Sequence, residues 1–389
     1  MHTARTFETC RSGFYRRLAA LVALAWASSG VLAAAAPRLV RGPWLQQVTE
    51  TSAVIQWETD QPVRTRLEYA PAPNTASVQE PGPARRHRAK LTYLAPETRY
   101  RYRVWAGQTP LTGEVEFVTA KPPGRPFRFA VLGDSGSGEP GQFALARRIA
   151  AVDPHLLLHT GDVVYPKGDS SGYDARFFRP YATLLSRVAI WPTLGNHDVM
   201  TRNGAPYLEV FELPRNGPAG VTPERIYAFD YADVHFTSLD STLGESTWRN
   251  VVLPWLRRDL ASTQRLWKVV YFHHPPYSSG LHGGDRRMQR LVVPLLSSAG
   301  VDLVFNGHDH CYERTRPIGG VTYVVTGAGG GGLYARRHPH PHTARFYNRQ
   351  YSFTQVDVNG ALLQLRQIAV DGSVVDAHSL TKKTVAAAP

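Results

Sequence analysis

Phe127-Arg128-Phe129-Ala130-Val131-Leu132-Gly133-Asp134-Ser135-Gly136 is an apolar run of strand length that ends abruptly in a turn carrying a carboxylate. Residues 141–152 follow with apolar spacing suited to a helix. A second apolar run, 156–159, then ends in Gly161-Asp162-Val163-Val164-Tyr165. Strand, helix and strand, each strand closing on an acidic turn, predict an α/β sheet with polar side chains gathered at its strand ends. Three more clusters repeat the arrangement. Gly195-Asn196-His197-Asp198 follows residues 189–194, Phe272-His273-His274-Pro275 follows 268–272, and Gly307-His308-Asp309-His310 follows 301–305.

The donors in these clusters are carboxylate, amide, imidazole and phenol, with no paired thiolates. That set suits hard or borderline metal ions. The positions are tens of residues apart, so a local metal finger is excluded and only a sheet can bring them together. Taken singly, each cluster reads more readily as a turn, a helix cap or surface residues than as a ligand set. Their ordered combination points to a metal-dependent hydrolase.

Residues around the motif region set the domain plan. Residues 1–36 read as an export signal: Arg5, Arg11, Arg16 and Arg17 precede the apolar stretch 18–26, and Ala33 to Ala36 offer small-residue cleavage sites. Arg16-Arg17 leaves both general and twin-arginine export open. The stretch is too short for a stable membrane span, so a periplasmic or extracellular location is expected. Removing it takes three net positive charges from the formal +13 of the 389-residue chain. The remaining basic residues are scattered, apart from Arg85-Arg86-His87-Arg88 and Arg336-Arg337. They favour anionic substrates, and no nucleic-acid partner is expected beyond nucleotide substrates. Of the two cysteines, Cys10 falls in the signal, which leaves Cys311 without an intrachain partner.

Residues 38–120 read as all-β. Trp57 is a core candidate, and the stretch 94–100 suggests a tyrosine corner at Tyr100, so the region resembles a fibronectin type III sandwich. Residues 121–126, Lys-Pro-Pro-Gly-Arg-Pro, form a stiff linker. The rest, 127–380, is the α/β domain. Further helices are expected over 173–188, broken near Pro180, and over 285–299. Asn359-Gly360 and Asp371-Gly372 mark hairpin turns.

The order Gly-Asp-Ser-Gly, Gly-Asp-Val-Val-Tyr, Gly-Asn-His-Asp, Val270-x-x-His273 and Gly-His-Asp-His resembles the calcineurin-like metallophosphoesterase superfamily. Tyr165 and the preceding β-sandwich point to its purple acid phosphatase branch. The resemblance implies a four-layer αββα domain with two mixed sheets and a binuclear metal centre at one edge. It further implies ferric iron on Asp134, Asp162, Tyr165 and His310, and a divalent ion (Fe, Zn or Mn) on Asp162, Asn196, His273 and His308, with Asp162 bridging. The implied activity is an acid phosphatase in which a metal-bound hydroxide attacks small phosphate monoesters. His197 and His282 would face substrate, with Asp198 orienting His197. His274, followed by proline, is left outside this set.

A phosphodiesterase or nucleotide hydrolase on the same core is the alternative, against which Tyr165 argues. A binding or adhesion protein with a dead second domain is disfavoured, because none of the seven ligands is missing. Three features stay open. The glycine run 327–332 reads as a phosphate contact or as the turn closing the site. His338, His340 and His342 read as a metal-binding loop or an exposed rim. Arg314 reads as a substrate contact or an ion pair with Glu313.

Overall fold

Alternation within single strands sorts the core into layers. In the strand Trp267–Tyr271, Val269 and Tyr271 join one buried cluster while Val270 joins a second. In Leu303–Asn306, Leu303 and Phe305 go with the first and Val304 with the second. Side chains two apart share a face of a strand, so each strand is buried on both sides and must lie between two other layers. On one side Phe129 meets Phe236 edge-on at 5.3 Å and Phe305 at 6.3 Å between centroids, which packs two sheets face to face. On the other side lie Leu256 and Leu260 of the helix Leu253–Ser262 and Met288 and Leu291 of Arg286–Leu291.

The computed structural model describes residues 35–71 and 75–382. All but the last two positions of the expected export signal lie outside the described residues. No helix among the described residues is long and apolar enough to cross a membrane.

The six-stranded sheet runs Ala189–Pro192, Leu156–His159, Phe127–Leu132, Ser352–Asn359, Leu362–Ala369, Val374–Thr381. Its first three strands are parallel and its last three antiparallel. The seven-stranded sheet runs Tyr227–Tyr231, Val234–Ser238, Trp267–Tyr271, Leu303–Asn306, Thr322–Thr326, Tyr312–Thr315, Thr343–Tyr347. It is also mixed, with the strands from Val234 to Thr326 parallel. The helix Pro140–Ala151 buries Leu145 and Ile149. The stretch 173–188, expected as a helix broken near Pro180, is a wide turn, Asp174–Phe178, followed by the helix Arg179–Leu185, with Pro180 in that helix's first turn. The stretch over 285–299 is likewise two helices, Arg286–Leu291 and Val293–Ser298. Asp285 caps the first through the N–H groups of Arg287 and Met288.

Residues 39–118 form two further antiparallel sheets. In Arg99–Ala106, Tyr100, Tyr102, Val104 and Ala106 are buried in strict alternation. Tyr100 Oη accepts a hydrogen bond from the Ala95 N–H at 2.8 Å, the bond expected of a tyrosine corner. These strands pack on the larger region through Trp44 against Phe178 and through Tyr102 Oη, which donates to the Ser186 carbonyl at 2.7 Å. Residues from Pro37 onward form one compact unit.

Candidate metal centre

Five parallel strands, three from one sheet and two from the other, end on the same edge, and each delivers one motif. Asp134 lies two residues beyond Phe127–Leu132, Asp162 three beyond Leu156–His159, and Asn196 four beyond Ala189–Pro192. His273 and His308 each lie two beyond the ends of Trp267–Tyr271 and Leu303–Asn306. The chain must turn sharply there. Asp134, Asp162 and His308 all adopt left-handed backbone angles, φ +56°, +55° and +69°. Non-glycine residues pay a steric penalty in that region, and such strain concentrates at functional sites.

Two groups of donors result. In one, Tyr165 Oη lies 2.8 Å from His310 Nε2 and 3.3 Å from Asp134 Oδ1, with His310 Nε2 3.6 Å from the same oxygen. In the other, Asn196 Oδ1 lies 2.9 Å from His273 Nε2 and 3.0 Å from His308 Nδ1. Asp162 Oδ2 is 3.5 Å from His273 Nε2, and that nitrogen is 4.0 Å from Asp134 Oδ1, so the groups adjoin. The structure therefore brings all seven predicted ligand side chains to one place. Outward nitrogens are fixed from behind: His273 Nδ1–H donates to the Thr160 carbonyl and His310 Nδ1–H to that of Gly332. This leaves each Nε2 lone pair facing the group, as metal-binding histidines require.

Electrostatics match this donor set to cations. Asp134 and Asp162 are fully buried, and no lysine or arginine among the described residues pairs with either. Burial and mutual repulsion push the Asp134 carboxyl well above its usual range; burial raises Asp162 to about 6. Burial, with neighbouring imidazoles, depresses His273 far below the usual value and takes His308 to about 2 and His310 to about 4. The imidazoles are thus held in the neutral form that coordinates metals. Two adjacent buried carboxylates are left without a countercharge, and two metal ions would supply it.

Residues 127–312 match the calcineurin-like phosphoesterase family. The chain carries a calcineurin-like phosphoesterase domain. Among its relatives, purple acid phosphatase 3 of Arabidopsis thaliana is 26% identical over 66% of this chain and 78% of its own. Purple acid phosphatase 18 of the same plant is 30% identical over 69% of this chain and 63% of its own. The chain shares its fold with the purple acid phosphatase PPD1 of yellow lupin (Lupinus luteus) seeds, at a TM-score of 0.74 and 20% identity over 90% of this chain and 74% of that one. A further likeness in fold is to GAP50, described as the anchor in the inner membrane complex of Plasmodium, at a TM-score of 0.54 and 18% identity over 67% of this chain and 90% of that one.

Two expectations about neighbouring residues, Asp198 and Arg314, are corrected, and for the glycine run two N–H groups are withdrawn from the phosphate-contact alternative. Asp198 does not bond the His197 ring. Its buried carboxylate accepts from the Val163 and Gly195 N–H groups, both at 2.9 Å, while His197 Nδ1–H donates to the Pro166 carbonyl. Arg314 is 9% exposed and pairs with Asp376 at 2.7 Å, not with Glu313 or the site. In the glycine run, the Gly329 and Gly331 N–H groups donate to the Gly133 and Asp134 carbonyls. Those two are occupied by the first motif, against which a Cβ at Gly329 would collide, 2.1 Å from the Gly133 oxygen.

His282 stands exposed at the mouth with its ring 4.4 Å from that of His308. His197 is about one-third exposed, its Nε2 3.9 Å from Asp162 Oδ2. The loop bearing His338, His340 and His342 packs on the segment preceding His282, its Arg337 and His338 N–H groups donating to the Ser279 carbonyl.

The structure adds residues that the sequence reading left aside. The half-buried His274 ring lies 4.6 Å from that of His308, with Nδ1 2.8 Å from Ser241 Oγ. Tyr334 stacks on His310 at 4.0 Å and 9°. His159 Nε2 sits 2.8 Å from Ser135 Oγ behind the first two motifs. In the sequence, the proline after His274 argues for a turn residue there. Tyr334 and His159 lie outside the recurring clusters and carried no local signal.

Proposed function

We propose that this phosphoesterase is a binuclear-metal acid phosphatase acting on small phosphate monoesters outside the cytoplasm. Asp134, Asp162, Tyr165 and His310 would hold a ferric ion; Asp162, Asn196, His273 and His308 would hold a divalent Fe, Zn or Mn. When bound, such a pair supplies Lewis-acid polarisation of the ester and an acidified water as the attacking group. The Tyr165 phenolate is the donor that favours a trivalent ion, and its phenol is otherwise pushed well above its usual range by burial and by the Asp134 charge.

The protein's own part is proton and charge management. Because Pro166 fixes His197 Nδ1–H, the His197 Nε2 is left toward the cleft to hold a proton for the phosphoryl group or the leaving alcohol. His282, whose ring lies against that of His308, would serve as a second donor. Asp198 ties the Val163 and Gly195 backbones together, which keeps Asp162 and Asn196 in register. One observation carries the reading: two adjoining donor triads with Asp162 between them.

The test is the visible spectrum of the purified protein, together with assays on a monoester and a diester. A purple to pink tyrosinate-to-iron band, lost in Tyr165→Phe, and a preference for the monoester are expected. A colourless, iron-free but active enzyme would overturn the metal assignment, and a preference for the diester would overturn the substrate class.

A further inference from the structure

His282 sits on Ser278-Ser279-Gly280-Leu281-His282-Gly283-Gly284, a segment whose composition gives the backbone wide freedom. The ring is exposed, and its neighbours are the stacked His308 ring and the edge of Tyr334 at 5.4 Å. What fixes it is the backbone beneath. Asp309, fully buried between the ligands His308 and His310, spends both carboxylate oxygens on this segment. Oδ1 accepts the His282 N–H at 2.9 Å, and Oδ2 accepts from Ser278 Oγ at 2.5 Å. Between those contacts Gly280 lies so close that a Cβ would stand 2.4 Å from Asp309 Cγ. Glu313, four residues on, clamps the segment's other flank through the N–H and hydroxyl of Ser279.

A buried carboxylate needs donors, and here both carboxylate oxygens take theirs from one short segment. We propose that Asp309 is a positioning residue for His282, so that the same turn that aims two metal ligands also sets the height of the proton donor above them. The inference rests on the reading of His282 as a donor to the leaving group. Ser278, Gly280 and Asp309 form one device: hydroxyl, close approach and acceptor, each useless without the others.

The experiment is a double-mutant cycle of Asp309→Ala with His282→Ala in the metal-loaded enzyme. It follows metal content, kcat and KM on an aryl phosphate and on an alkyl phosphate, whose poorer leaving group depends more on protonation. Asp309→Ala should lower kcat on the alkyl ester at least about 10-fold, and more than on the aryl ester, with two metals retained. The double variant should be no slower than His282→Ala alone. Asp309→Asn, which keeps an acceptor for the His282 N–H, should recover most of the rate.

Losses that multiply would overturn the inference while leaving the role of His282 standing. A His282→Ala enzyme with unchanged kinetics on both esters would overturn both. Should Asp309→Ala lose metal or fold poorly, Ser278→Ala touches only the segment. It should show the same preferential loss on the alkyl ester, abolished when His282 is already alanine; a loss that persists there would contradict the proposal.

Discussion

Replacing Gly195 by alanine tests the geometry of the centre without altering any ligand. A Cβ built on Gly195 falls 2.1 Å from Asp162 Oδ1 and 2.3 Å from the Asp162 nitrogen. Contacts of this kind do not occur below 3.0 Å, so the carboxylate must retreat by roughly 1 Å. A carboxylate–zinc bond is only about 2.0–2.2 Å long, so that displacement removes Asp162 from bonding range of at least one ion. The effect should exceed the 10–100-fold loss of affinity typical of disturbing a residue behind a ligand. The fold itself should lose about 1–3 kcal/mol, as overpacked sites do. Gly332→Ala is the control: its carbonyl also contacts a ligand, His310, but a Cβ there meets nothing within 4 Å. Metal content by elemental analysis after dialysis against a weak chelator, with melting curves of the metal-free proteins, separates the two effects. A Gly195→Ala protein that keeps both ions at normal affinity would refute the packing of Asp162 against the Asn196 turn.

His197→Ala should reduce turnover by at least about 100-fold while both ions stay bound; loss of the metals in elemental analysis would assign His197 to the centre itself. Far from the site, burial alone would depress His235, but the Asp230 and Asp259 carboxylates outweigh it and raise the imidazole to about 9. A raised folded pKa means that the stabilisation is complete below the unfolded value of ~6.5 and is lost as pH climbs through 9. His235→Asn should therefore destabilise more at pH 6 than at pH 9.5, by about 2 kcal/mol after allowance for the exposure of Asp230; denaturant melts at the two pH values measure it, and equal losses would contradict the pair. Cutting Arg225→Met should cost about 3–5 kcal/mol in the same melts, since it strands the fully buried Asp240 that Arg225 holds at 2.7 Å.

Much of this site is legible in the sequence, because each motif follows a strand and strands announce themselves by apolar runs. The Asn359-Gly360 and Asp371-Gly372 hairpins were readable for a similar local reason, both glycines having positive φ. What escaped was non-local. Asp198 lies beside His197 in sequence, yet the turn points its carboxylate down at the Val163 and Gly195 amides. Arg314 finds Asp376 because Tyr312–Thr315 and Val374–Thr381 come together at that point, which sequence spacing does not encode. The N–H groups of Gly329 and Gly331, free on paper, are consumed by backbone carbonyls of a motif nearly two hundred residues away.

The most direct measurement is anomalous diffraction from crystals of the metal-loaded protein, recorded at the iron edge and at the edge of the second metal. Two peaks about 3.5–4 Å apart, with Asp162 reaching both and Tyr165 on the iron, are the predicted result. A single ion, or two ions that do not share Asp162, would contradict the account.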